Sequence, residues 1–467
     1  MMRKIFETSG QRRAEARRQG GSRAPLWLCL AFAGVLLGQQ ESISIWINGH
    51  GGKPALAVPN FRGTNGAQPL VDAFNSTLFN DLQNSGLFDM QSKSLYPLNN
   101  PQTPNDLRPE DNNMGYALPD WSGAPVKASH LVFGYAAGVN GALAIYGNVY
   151  DTRVTNNIAS AQLFSQRYAA SLDQAGAVRA AHEFANDIIQ KFGGNGSLLG
   201  SRIYFSSNRS GNDEIWAMDW DGNNQKQLTN LKSLSIMPTV SPDGSRVAFT
   251  SWYKGPPRIM MLNSENGRLL PFYNQEASLN ANASFTPDGK QIFYASTAAG
   301  MAQIFAAGIN GQDFRRISRR TDIESEPKIN PKNPNIVLFV SGAGGNEQIY
   351  SMNAEGADVQ RVTNGEGEAS NPSWNPDGQH IAFSWTRGYA KGDWNVFVMD
   401  IATREYSQLT HSEGKNENPV WAPDGRHIVF ASTRGGRSQI YTMLANGTQV
   451  TRLTQQGTNR YPVWGTK

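Results

Sequence analysis

Six histidines, at positions 50, 130, 182, 380, 411 and 427, are the first residues to test for chemistry, and they do not cluster along the chain. His182 opens the stretch HEFAN, which stops one residue short of HExxH. In that helical motif two histidines one turn apart hold zinc and the glutamate acts as base. Here the second ligand position is Asn186, so the motif's zinc site is not available, and the expectation is a helix-surface His182 beside Glu183. His380 and His427 precede strand-like runs at matching positions, which suggests a repeated surface role. Nucleophilic and phosphate chemistry have no sequence basis either. There is no G-x-S-x-G elbow, no Walker A loop and no G-x-G-x-x-G fingerprint after a strand. The recurring Asp-Gly pairs read as turn formers rather than calcium loops. Cys29 is the only cysteine, so neither a disulfide framework nor a cysteine-ligated metal is available. The expectation is a protein without catalytic residues, cofactor, metal or small-molecule substrate.

Binding is the remaining chemistry, and its candidates are polar loops: KSLSIMP, EASLNANA, DIESEP, GEASNP, KNENP and GTNRYP. Five of the six lead into a strand-like unit with a proline two residues before an aromatic or apolar residue, and EASLNANA leads into NASF. Six such loops converging on one face would make a funnel of hydrogen-bonding groups aimed at one partner.

The elements that would bring them together are legible as a repeat. From residue 202 a strand-like unit recurs as RIYFSS, RVAFTS, QIFYAS, NIVLFVS, HIAFSW and HIVFAS. Its anchors Ile203, Val247, Ile292, Ile336, Ile381 and Ile428 are spaced 44 to 47 residues apart. A second unit follows each (EIWAMD, RIMMLN, QIFAAG, QIYSMN, NVFVMD, QIYTML), and a third ends in QLT or a variant. A fourth unit precedes the first in most copies, joined to it in four cases by Pro-Asp-Gly, where Pro fixes φ and Gly permits the positive φ of the turn. The copy NPKNPN lacks Asp-Gly and predicts a longer or irregular turn. Four short strands per repeat describe a β-propeller blade, and six blades must pack around an axis to bury their faces. The array starts without its Pro-x-Trp strand and ends on a lone one, Tyr461–Gly465. That orphan is predicted to complete the first blade and close the ring, covering open sheet edges.

Residues 41–195 mix strands and helices. SISIWIN alternates at period two, PALAVPNF is a short apolar run, and HLVFGYAAG, ALAIYGNVYD and IASAQLFSQRYA read as consecutive strands. AQPLVDAFNSTLFNDLQNSG, with Leu70, Phe74, Leu78 and Leu82 four apart, and DQAGAVRAAHEFANDIIQKFGG read as helices. Residues 97–128 are predicted to be a long surface loop. The expected organisation is therefore a leader at 1–40, a small α/β domain at 41–195 and a six-bladed propeller at 196–467.

Charge excludes a nucleic-acid role. The net charge is +4, yet residues 1–38 alone carry seven cations (Arg3, Lys4, Arg12, Arg13, Arg17, Arg18, Arg23) against Glu7 and Glu15. The basic character belongs to the leader, and the body has no phosphate-binding surplus. A basic stretch followed by the apolar run Leu26 to Leu37 is the pattern of an export signal. The run is short for a membrane span, and no clean A-x-A site follows, which leaves an uncleaved anchor as the other reading.

A small α/β domain followed by six blades of the pattern PxWxPDGxxIAF…IYxMDxxGxxxxxLT resembles the TolB family of the Tol–Pal cell-envelope system. GKPALAVPNF at 52–61 and DLQNSGLFD at 81–89 are similar to family landmarks, as is the lone closing strand Pro462–Trp464. The resemblance implies a non-enzymatic periplasmic scaffold in a Gram-negative bacterium, held peripherally to the outer membrane and supporting its integrity and envelope constriction at division. It implies two partners. TolA would be engaged by the mature N-terminal segment Glu41, Ser42, Ile43, Ser44, Ile45, Trp46, Ile47 and Asn48. The lipoprotein Pal would be bound by the funnel, at Leu279, Asn280, Asn282, Glu324, Ser325, Glu326, Ser370, Asn371, Glu417, Asn418 and Arg460. Position 279 departs from the polar residue the family leads one to expect. An accessory propeller of an exported hydrolase, or a glycan-binding propeller, are the alternatives that the repeats alone leave open.

Overall fold

The structure, a computed structural model, describes residues 53–109, 114–194, 198 and 200–466. The leader, with Cys29, and the segment Glu41–Asn48 lie outside them. In the N-terminal region one sheet runs in the spatial order Asp89–Met90, Ala55–Ala57, His130–Val139, Ala142–Asp151, Gln162–Ser171, with Arg62–Thr64 also on His130–Val139. The first pairs are parallel and the last three strands form an antiparallel meander. Helices α1 (Val71–Asn84) and α2 (Gln174–Lys191) lie on one face. Phe74, Leu78 and Leu82 of α1 join Ala177, Phe184 and Ile188 of α2 in the core, as their spacing requires. Gly147 makes room for this packing, since a Cβ there would lie 2.5 Å from the Phe184 ring. Asp173 caps α2 by accepting the Gly176 N–H at 2.7 Å.

Two expectations need correction here. Residues 97–128 are not simply a surface loop. Leu107, Leu118, Trp121 and Val126 cover the other sheet face against Ala57, Leu131, Phe133 and Tyr150, and Trp121 is fully buried. A sheet exposes apolar residues on both faces, and with both helices on one side the irregular segment must cover the other. The stretch IASAQLFSQRYA is also not all strand. Ile158–Ala161 is a helical turn capped by Asn157, and the strand begins at Gln162.

The propeller has six four-stranded antiparallel sheets. We number the blades by their second strands, from Arg202–Ser207 (blade 1) to His427–Ser432 (blade 6). Blade 1 takes its innermost strand from the chain end: Asn459–Gly465 pairs with Arg202–Ser207, with Trp464 opposite Ile203. The closing strand is further fixed by Trp464 Nε1 donating to Ser201 Oγ at 2.8 Å and Arg209 donating to Asn459 Oδ1 at 3.0 Å. The lone Pro-x-Trp strand therefore does close the ring.

Blade 4 bears out the irregular turn and shifts the repeat register. In four blades the turn closes from residue i to i+5, as in Ser241 N–H to Arg246 O, whereas Asn330 N–H reaches Ile336 O, six residues on. Ile336 consequently occupies the position of His380 and His427, and the buried anchor equivalent to Ile203 is Val337 rather than Ile336. The threonine of QLT also has a role. Thr454 Oγ1 accepts the Ile440 N–H at 2.9 Å and donates to Gln439 Oε1 at 2.7 Å, tying the outermost strand to the third. Thr229, Thr363 and Thr410 repeat the arrangement with Glu214, Gln348 and Asn395.

Candidate functional site

Each innermost strand carries a bulge, and at each bulge one residue adopts the left-handed conformation: Met237, Asn282, Glu326, Asn371, Asn418 and Tyr461, with φ between 52° and 57°. Non-glycine residues in this region are strained by about 1–3 kcal/mol each, and such strain concentrates at functional sites. The six residues line one channel at the propeller axis together with Lys328 and the following prolines Pro238, Pro372, Pro419 and Pro462. A bulge turns its own N–H out of the ladder, and the neighbouring blade receives it. Asn282 N–H goes to Thr250 Oγ1 at 3.3 Å, Asn418 N–H to Ser384 Oγ at 3.2 Å, and Asn371 N–H to Glu326 Oε2 at 2.7 Å. The bulges therefore knit blade to blade while presenting side chains to the channel.

The channel and its rim carry several titratable groups. Burial pushes the Glu326 carboxyl up to about 7, with Glu347 adding to the effect and Asn371 and Lys328 opposing it. Asn371 donates to both of its oxygens, the second bond running from Nδ2 at 3.0 Å. Burial lowers Lys328, against the pull of Glu326. Tyr461 is pushed up to about 12, by burial first and then by Glu417, Glu326 and Asp213 against Arg460. Burial likewise raises Asp213, opposed by Arg460, and Glu417, opposed by Lys415 and Arg460. The result is a half-buried surface of carboxyls, amides, an amine and a phenol that can both donate and accept hydrogen bonds.

The predicted funnel residues divide into three groups. Asn282, Glu326, Asn371 and Asn418 lie in the channel lining. Ser325, Glu417 and the exposed Arg460 sit one residue before the bulge positions, as does the buried Ser370. Leu279, Asn280 and Glu324 face inward instead. Leu279 is 3% exposed and packs with Ala281 and Ala302 of its own blade and with Ile323 at the start of the next, so an apolar residue here fills a gap between blades. Asn280 Nδ2 is bound to Gln275 O, and the fully buried Glu324 carboxylate pairs with Arg320 Nε at 3.7 Å. Met237, Lys328 and Tyr461 were missed. For Met237 and Tyr461 the signal was available, because five of the six ring positions immediately precede the strand proline.

Among the histidines, His182 lies on α2 as expected and is only partly exposed, its Nδ1 meeting Asp81 Oδ2 of α1 at 2.5 Å. His380 and His427 are buried, not surface residues, and their Nδ1 atoms meet Asp377 and Asp424 of the preceding turns at 2.7 and 2.6 Å. Among the described residues no three of His, Cys, Asp or Glu come together in a metal-holding group, and no helix is long and apolar enough to cross a membrane.

The family model described as TolB beta propeller domain matches residues 189–388 and 362–467, which together span more than half of the chain. The chain belongs to the TolB family. Among curated relatives, the Protein TolB homolog of Chlorobium chlorochromatii is 31% identical over 288 residues, covering 59% of this chain and 59% of its own length. The Tol-Pal system protein TolB of Desulfosudis oleivorans is 28% identical over 272 residues, covering 57% and 58%. The aligned part of this family member thus spans about three-fifths of each relative. In three dimensions it is similar to the crystal structure of TolB from Acinetobacter baumannii, with a TM-score of 0.74 at 23% identity over 89% of this chain and 97% of that one. The likeness extends the shared fold across both regions.

Proposed function

We propose that this TolB-family chain is a periplasmic, non-enzymatic scaffold of a Tol–Pal system, binding the lipoprotein Pal at the propeller channel and TolA through residues Glu41–Asn48. The observation that carries the reading is the ring of six left-handed bulge residues, Met237 to Tyr461, whose polar members face one channel. A strained, repeated backbone feature that presents amides and carboxyls in a ring is a recognition surface for a folded partner. The relatives named as Tol-Pal system proteins support the assignment to that system. The export-signal pattern supports the compartment. The alternating stretch SISIWIN suits strand addition to a partner sheet.

The experiment is affinity capture from envelope extracts, followed by titration with the purified partners. Recovery of a peptidoglycan-associated lipoprotein as the main partner is expected, and recovery of a hydrolase or of glycan alone would reject the reading. Deleting residues 41–48 is expected to abolish TolA binding while Pal binding persists. Unchanged TolA affinity after the deletion would remove the N-terminal half of the proposal.

A further inference from the structure

Comparing blades 5 and 6 isolates one side chain that has changed allegiance. The first residue of each second strand pairs with the last of the third: Arg202 with Asp219, Arg246 with Asn263, Gln291 with Gly308, Ile336 with Asn353, His380 with Asp400 and His427 with Leu444. Five partners are polar or glycine, and only blade 6 has an apolar one. In blade 5 the ring lies between two carboxylates of its own blade, with Nδ1 at 2.7 Å from Asp377 and Nε2 at 3.5 Å from Asp400. In blade 6 Nδ1 keeps the equivalent carboxylate, Asp424, at 2.6 Å. With Leu444 opposite, Nε2 turns out of the propeller and meets the carbonyl oxygen of Asn84, the last residue of helix α1, at 2.7 Å. Leu444 packs where the chain leaves that helix, and a Cβ on Gly86 would lie 2.8 Å from its methyl groups.

Both partners of this ring are acceptors. A carbonyl oxygen cannot donate, and the Asp424 carboxylate already accepts the backbone N–H groups of Arg426 and His427. Asp424 is itself held down to about 2, by His427 and Arg426 against its burial. A ring that donates at both nitrogens is an imidazolium. Asp424 and the helix end complement a positive charge, which the ring shares with the Arg426 guanidinium 3.5 Å from Asp424 Oδ2. Helix α1 has no basic residue in its last turn, and its C-terminal carbonyls instead receive donors from blade 6. Besides His427, these are Arg426 Nε to Ser85 O at 3.1 Å and Gln449 Nε2 to Gln83 O at 3.4 Å. Cations stabilise a helix C-terminus through the backbone dipole. The charged and titratable groups lining this crevice are Asp424 and Arg426 from the blade, Asp81 from α1 and His182 from α2.

We propose that His427 is an imidazolium latch between the two domains: with an acceptor at each ring nitrogen, it holds the end of helix α1 on blade 6 through its Nε2–H. The latch lies on the Pro-Asp-Gly turn of blade 6 and is independent of the partner-binding reading.

The test uses the full chain and three variants: His427→Gln, the matched His380→Gln in blade 5, and Leu444→Asp, which gives His427 an acceptor in its own blade. Small-angle scattering and cross-linking between α1 and blade 6 report docking. Nitrogen NMR of the labelled imidazoles reports ring protonation along the same pH series. In the parent, both His427 nitrogens should carry protons while the domains are docked, and cross-linking should be several-fold stronger than in His427→Gln. His427→Gln and Leu444→Asp should be loosened at every pH, whereas His380→Gln should dock as the parent does. The proposal is overturned if either His427 nitrogen is unprotonated in the docked state. It is equally overturned if docking in the folded His427→Gln chain follows the parent through the series. Should that variant fail to fold, the parent's ring nitrogens and the docking of the Leu444→Asp chain decide.

Discussion

At the scale of single residues, the bulge positions make the sharpest demands. Asn371 sits at φ 54° and donates twice to Glu326. Replacing it by Gly keeps the backbone comfortable and removes the Nδ2 bond, whereas Ile adds a β-branch to a left-handed residue. The Ile variant should be less stable than the Gly variant by about 1–2 kcal/mol, read from paired denaturant melts. Glu326 predicts a pH effect of definite sign. Its carboxyl is raised from 4.5 to about 7 in the folded protein, so between those values the folded state holds the proton and the unfolded chain does not. Stability contributed by this group is present below about pH 4.5 and is lost as pH rises through about 7. Glu326→Gln should therefore flatten that part of the stability profile, and a profile unchanged in slope would contradict the assignment. Residue-level legibility was uneven for a physical reason. A polar residue in a polar loop reads the same whether it faces the channel, as Asn282 does, or turns inward, as Asn280 does two positions earlier. Strand pleat and bulge decide between them.

At the scale of elements, two devices hold the propeller shut. The strand Asn459–Gly465 brings a buried Trp464 and a buried Asn459 to blade 1. Trp464→Ala should cost about 3–5 kcal/mol, as large-to-small changes at buried aromatics do. Removing residues 459–467 should cost more, because it also reopens the sheet edges. A truncated chain that melts like the parent would show that ring closure does not depend on this strand. The threonine tie is smaller. Thr454→Val leaves Gln439 and the Ile440 N–H each short of a partner and should cost about 1–3 kcal/mol. The elements were largely readable because the repeat compares the chain with itself. Six copies expose the Pro-x-Trp strand, the Pro-Asp-Gly turn and the missing first strand. The same comparison misplaced the blade 4 anchor by one residue, since Ile336 and Val337 are equally apolar and only the longer Asn330 turn decides which is buried. The segment 97–128 was misread because Trp121 stands among prolines and polar residues without a period. Its burial is dictated by the uncovered sheet face.

At the scale of the whole molecule, the two regions divide the work. The N-terminal domain meets blade 6 at its Pro-Asp-Gly turn, while the bulge residues near the start of each innermost strand form the channel ring. None of the contacts joining the domains was legible in sequence, because they link Asn84 and Ser85 to residues more than 340 positions away. The family match covers the propeller, and the likeness to the Acinetobacter baumannii structure carries the shared fold across both regions. The most direct test is calorimetric titration of the folded parent with the globular domain of Pal, beside a variant combining Asn282→Ala, Asn371→Ala and Asn418→Ala. All three side chains lie in the channel lining. At least a tenfold loss of affinity is expected in the variant, equivalent to about 1.4 kcal/mol, with its propeller still folded. Equal affinity of parent and folded variant would contradict recognition at the channel ring.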